Sequence, residues 1–157
     1  MRLHVVSLPH TQTTREFSWC AYTDKVRKFC DMMTSLDWEV YLYAGEENEA
    51  NCTELISCVT KQEQAGWWPG WNPKTDYWPD GWNETKPWWT TMNGRAIAGI
   101  SQRIEPHDVI GIIGGTCQKI VADAFPNRAV EWGIGYKGVF APFLVFESYA
   151  WMHHIYG

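Results

Sequence analysis

The chain predicts an α/β fold: an open parallel sheet flanked by helices, in one domain. Three observations lead there. Short apolar runs alternate with stretches of helical periodicity, the pattern of right-handed βαβ units. The run Asp108–Gly115 is unbroken in its apolar character and ends in Gly-Gly, as a central strand buried on both faces does. A length of 157 residues with 45% hydrophobic and 20% charged side chains suits one globular domain with a sizeable core.

Leu3–Leu8 is the first strand, closed by Pro9. A polar loop follows from His10 to Trp19. Between Thr23 and Leu36, the residues Val26, Phe29, Cys30, Met33 and Leu36 recur at helical spacing, with Thr23 or Asp24 as the N-cap. Glu39–Gly45 is the second strand and Glu54–Val59 the third. Thr60-Lys-Gln-Glu63 has the form of a capping box and opens a short helix. Residues 67–87 are punctuated by Pro69, Pro73, Pro79 and Pro87 and form a long irregular loop. A helix is expected from Trp88 to about Ile104, with Met92, Ile97, Ile100 and Ile104 on one side. Thr116 then caps a helix running to about Phe125, Arg128–Trp132 is a strand, and Phe143–Tyr156 is the last helix.

Composition excludes several functions. The net charge of −5, without a basic stripe, disfavours a nucleic-acid partner. No apolar run approaches the ~18 residues of a membrane span. The N-terminus enters a strand pattern at once and lacks signal-peptide architecture, so a cytoplasmic location is expected. The five cysteines show no CxxC spacing, which points to reduced thiols rather than zinc or a disulfide framework. Asn51-Cys-Thr53 and Asn83-Glu-Thr85 match the glycosylation sequon, an accident in a cytoplasmic chain. There is no HExxH, and adjacent His153 and His154 diverge by about 100° on a helix, so no metal is expected.

In open parallel sheets, ligands bind beyond the carboxyl ends of the strands. The loops expected there are 10–19, 45–51, 114–118 and 133–138. The first holds His10, Thr11, Thr13, Arg15 and Glu16. It reads as a polar-ligand loop with His10 as general base, or as a solvated loop. Gly114-Gly115-Thr116 offers close backbone approach and a helix N-terminus to an anion, or is a tight turn needed for packing. It lacks both GxGxxG and GxxxxGK[ST], which disfavours a dinucleotide site or a P-loop. Gly133, Gly135 and Tyr136 lie between the carboxylates Glu131 and Glu147 in an aromatic stretch that reads as the wall of a site. Such carboxylates suit glycosyl chemistry where space brings them together.

Of the 11 tryptophans, seven fall between Trp67 and Trp89. Three roles fit: platforms for sugar rings, staples holding a long loop to the domain, or a surface that meets a partner.

Four segments carry a resemblance: Glu39–Asn48, Asp108–Gln118, Glu131–Tyr136 and Val145–His154. They are similar to the N-terminal half of group-1 glycosyltransferases of the GT-B fold. The resemblance covers nearly the whole chain apart from the Trp-rich insertion at about 67–87. It implies a Rossmann-like domain, the acceptor-side half of an enzyme. Such an enzyme moves a hexose from a nucleoside-diphosphate sugar to a carbohydrate or other hydroxyl acceptor, without a bound metal. It also implies a C-terminal donor domain that these 157 residues do not contain, so the chain alone is expected not to turn over. On this half the candidate catalytic residues are His10 and Glu131. The candidate substrate-binding residues are Thr11, Thr13, Arg15, Gly114, Gly115, Thr116, Gly133, Gly135, Tyr136 and Glu147. A non-catalytic carbohydrate-binding or protein-interaction module built on the Trp-rich loop is the alternative. One departure concerns stability. Asp37-Trp38 stands where relatives carry Gly-His, so Asp37 takes the left-handed helix-ending position at a cost of roughly 0.5–1 kcal/mol.

Overall fold

A computed structural model describes residues 1–79 and 81–156. Six strands form one sheet in the order β3-β2-β1-β4-β5-β6: β1 (Arg2–Val6), β2 (Glu39–Gly45), β3 (Glu54–Val59), β4 (Val109–Ile112), β5 (Ala129–Ile134) and β6 (Phe143–Phe146). Every neighbouring pair is parallel. This is the doubly wound, Rossmann-like order, and its topological switch point lies between β1 and β4. The helices are α1 (Ala21–Ser35), α2 (Lys61–Trp67), α3 (Pro87–Ser101), α4 (Lys119–Ala124) and α5 (Tyr149–Tyr156).

Alternation along each strand divides the core in two. Leu3, Val5, Val40 and Leu42 face α1 through Val26 and Cys30. Val6, Tyr43, Ile110 and Ile112 face α3 through Met92, Ala96 and Ile100. Gly99 lets α3 settle onto the sheet, since a Cβ there would lie 2.8 Å from the Tyr43 ring. Beside α1, an apolar groove of about 620 Å³ runs over Leu3, Val109, Val130, Trp132 and Val145.

Several sequence expectations hold. The second and third strands have the expected bounds, and Thr60 and Glu63 form the reciprocal capping box. Asp37 has φ +59°. Trp68, Trp78, Trp88 and Trp89 are buried in the α1-side core, so the Trp-rich loop is stapled to the domain. No helix among the described residues is long and apolar enough to cross a membrane, and all five cysteines are unpaired.

Three expectations are corrected. Helix α1 begins at Ala21 after Cys20, and neither Thr23 nor Asp24 caps it. The Thr23 hydroxyl is engaged by Thr11 Oγ1 at 2.6 Å, and Asp24 pairs with Lys28 and Arg27. Thr116 is likewise no cap: Gly115–Gln118 form a 3-10 turn that precedes α4. The expected helix 143–156 is instead strand β6 followed by α5. Its start is set by Ser148, whose hydroxyl accepts from the Trp151 N–H at 3.2 Å. Residues 135–142 cross from β5 to β6 without a helix, held down by the Glu131 carboxylate described below.

Candidate functional site

The β1–α1 loop dives into the carboxyl end of the sheet instead of running over it. His10, Thr11, Gln12 and Thr13 are all buried. Two glutamine amides hold it there. Gln12 accepts from the Glu47 N–H at 2.7 Å and donates to Gln64 Oε1 at 2.8 Å; Gln64 in turn donates to the Pro9 carbonyl at 2.8 Å. Gly45 leaves room for this network, since a Cβ there would lie 2.3 Å from the Gln12 amide and would displace it. The β1–α1 loop, the β2 end and α2 are thereby locked around one cavity.

That edge pocket has a volume of about 330 Å³. Phe17, Trp68 and Trp71 supply aromatic walls, while Gln12, Gln64, Glu16, Glu47 and Lys61 supply polar groups. Glu47 pairs with Lys61 at 2.9 Å and Glu16 with Lys74 at 2.9 Å. The Lys74 ammonium holds the Glu16 carboxyl below its usual range, and Glu47 raises Lys61. His10 also lines the pocket, stacked on Trp78 at 3.8 Å with an interplanar angle of 15°. Burial alone depresses its pKa to about 3. A base this weak sits far from the useful range at neutral pH, so the structure makes His10 a neutral wall rather than the titrating base expected. Its Nδ1 and the Trp68 Nε1 are buried without a hydrogen-bond partner among the described residues.

A second pocket, of about 310 Å³, lies at the ends of β4 and β5. Here Gly114, Gly115, Thr116 and Tyr136 do come together, with Tyr22, Trp82 and Lys137. The turn does not offer its first amides to an anion. Gln118 Oε1 accepts from the Ile113 and Gly114 N–H groups at 2.9 and 2.7 Å, and its Nε2 donates to the Ser7 carbonyl at 2.7 Å. This fully buried side chain bridges the β1 and β4 ends at the switch point. Gly114 makes room for it, since a Cβ would come within 2.8 Å of Gln118 and 2.9 Å of Trp89.

The other sequence candidates separate. Glu131 is fully buried and accepts from the Tyr136 hydroxyl at 2.7 Å and from the Phe140 and Ala141 N–H groups at 3.0 and 3.1 Å. Its oxygens are occupied, and it anchors the β5–β6 crossover rather than facing a substrate. Burial, and after it the bond to Glu131, push the Tyr136 phenol upward. Glu147 pairs with Lys25 and lines the apolar groove, as does Gly133 at φ +63°. Gly135 lies against the Glu147 carboxylate, where a Cβ would come within 2.8 Å. Thr11 is spent on Thr23, Thr13 is buried, and Arg15 is exposed with its backbone N–H on Glu49.

Gln64, Lys61 and Tyr22 lay outside the segments singled out for a ligand, whereas Gln12, Phe17, Glu47 and Lys137 fell in the expected crevice loops without being named for a role; Trp68 and Trp71 belong to the Trp-rich loop, for which sugar platforms, staples and a partner surface were all open. No group of three or more His, Cys, Asp or Glu able to hold a metal occurs among the described residues. No protein-family profile, curated protein or solved structure matches the chain.

Proposed function

We propose that the chain is the acceptor-side domain of a glycosyltransferase that moves a hexose from a nucleoside-diphosphate sugar, and that the edge pocket receives the acceptor sugar. One observation carries this reading. At the carboxyl edge of a doubly wound sheet, aromatic faces meet carboxylates and amides in a cavity of about 330 Å³. Rings such as Trp71 and Phe17 suit the C–H faces of a pyranose. The exposed carboxylates Glu16 and Glu47 suit its hydroxyls.

The donor belongs on a second domain. Lys61 and Lys74 already face Glu47 and Glu16, and the Gly114 turn has its first amides taken by Gln118. Those groups leave little for a diphosphate. The alternative, a non-catalytic carbohydrate-binding module, uses the same pocket and is favoured by the burial of His10, which lowers its pKa to about 3. Calorimetric titration separates these readings from their failure. Binding of glucose, galactose, mannose or N-acetylglucosamine, without binding of UDP-glucose or GDP-mannose, is the expected result. Tight binding of a nucleotide-sugar overturns the division of labour, and no sugar binding at all overturns the pocket assignment. Joining the chain to a donor domain and restoring transfer distinguishes the enzyme from the module.

A further inference from the structure

The edge pocket takes part of its lining from two surface turns. Glu16 and Phe17 come from the 3-10 turn Arg15–Phe17, and Trp71 and Pro73 from the Trp-rich loop. The Glu16–Lys74 pair, at 2.9 Å, joins one turn to the other. Both turns are lightly held. No residue of the first is buried. The second is anchored at its ends by buried Trp68 and Trp78, and Trp71 packs on Trp68 at 5.4 Å. Beyond Trp71, however, Asn72 and residues 74–77 are exposed. The hydrogen bonds of this tip stay within the loop. Asn72 N–H donates to Asp76 Oδ2 at 2.9 Å, Asp76 N–H to the Asn72 carbonyl at 2.9 Å, and Trp71 Nε1 to the Tyr77 carbonyl at 3.2 Å. Among the described residues, Glu16–Lys74 is the one hydrogen bond or ion pair that ties residues 72–77 to the domain beyond the Trp-rich loop. Both of its side chains are more than half exposed, at 61% and 58%. Such a pair is weak and screened by salt, so it can be made and broken readily.

We propose that the Glu16–Lys74 pair is a salt-sensitive clasp on the edge pocket. Closed, it draws the 72–77 tip against Arg15–Phe17; open, it frees the tip and admits the sugar. This rests on the edge pocket being a sugar site. A neutral sugar brings no charge for salt to screen, so a salt dependence of its binding rate has to come from the protein.

The first test needs no sugar. Backbone hydrogen exchange is measured by mass spectrometry for the segments 14–18 and 70–77, at about 20 and about 500 mM NaCl, with an α3 segment as the reference. Exchange of both segments is expected to rise with salt by about two- to fivefold, the range an exposed ion pair supports. Lys74→Gln is expected to exchange at the faster rate at both salt concentrations, and Lys74→Arg to restore the wild-type behaviour. Equal exchange in wild type and Lys74→Gln, or a salt effect that survives in Lys74→Gln, overturns the clasp. The second test is stopped-flow tryptophan fluorescence with whichever neutral monosaccharide binds. Association and dissociation are both expected to quicken by about two- to fivefold in Lys74→Gln and in wild type at high salt. Unchanged rates, with exchange altered, overturn its control of the pocket and leave the sugar site standing. Failure of every sugar to bind removes the acceptor reading and with it the clasp's role in sugar entry, while hydrogen exchange still decides whether the pair holds the two turns together.

Discussion

Replacing Gln118 by Met isolates the bridge at the switch point. Met is close to Gln in length and shape but has no amide. Gln118→Met leaves the Ile113 and Gly114 N–H groups and the Ser7 carbonyl without the partner they have at 2.9, 2.7 and 2.7 Å. Each buried group left unsatisfied costs about 1–3 kcal/mol. Because the three share one side chain their losses do not simply add, and a total of roughly 3–5 kcal/mol is expected. Against a typical stability of about 5–15 kcal/mol this is a large fraction. With a urea slope of about 2 kcal/mol/M, the unfolding midpoint falls by roughly 1.5–2.5 M. Urea titration followed by tryptophan fluorescence reads this directly. Gln64→Met is the comparison: Gln64 is only half-buried, so water replaces its bonds and the loss is smaller. A midpoint drop under about 0.5 M for Gln118→Met, with the slope unchanged, refutes the view that this side chain holds β1 and β4 together at their ends.

Three further outcomes are expected. Asp37→Gly relieves the left-handed backbone at φ +59° and stabilises by roughly 0.5–1 kcal/mol, read as a higher melting temperature; no change argues against strain there. Gly114→Ala places a Cβ within 2.9 Å of both Gln118 and Trp89 in a packed interior and costs about 1–3 kcal/mol, checked by denaturant unfolding. His10 has its pKa lowered from 6.5 to about 3, so below pH 6.5 the unfolded chain binds a proton that the folded one refuses. Stability is therefore full above pH 6.5 and falls by about 1.4 kcal/mol per pH unit below it, down to the folded value. His10→Phe keeps the stack on Trp78 and flattens that slope; an unchanged slope between pH 6.5 and 5 assigns the acid sensitivity elsewhere.

What the sequence determined by itself was local. The apolar runs of β2 and β3, the reciprocal pair Thr60 and Glu63, and Asp37 at the end of α1 each report on their near neighbours, and each is found as read. Repeated alternation of such segments also implied a parallel sheet, since only crossovers connect strands that way. The segment after Pro142 misled for the same local reason. Apolar residues in β6 and α5 run together, and the stop between them is a single hydroxyl, Ser148 on Trp151.

Tertiary structure alone decided the site. Gln12 meets Gln64 across 52 positions and Gln118 meets Ser7 across 111, and no periodicity encodes a partner that far away. The same holds for the carboxylates Glu131 and Glu147, which are close in sequence yet one is sealed under a crossover and the other pairs with Lys25 beside the groove. Whether a polar side chain faces a ligand or satisfies a buried amide depends on what the fold brings against it. A residue type and its spacing carry no record of that.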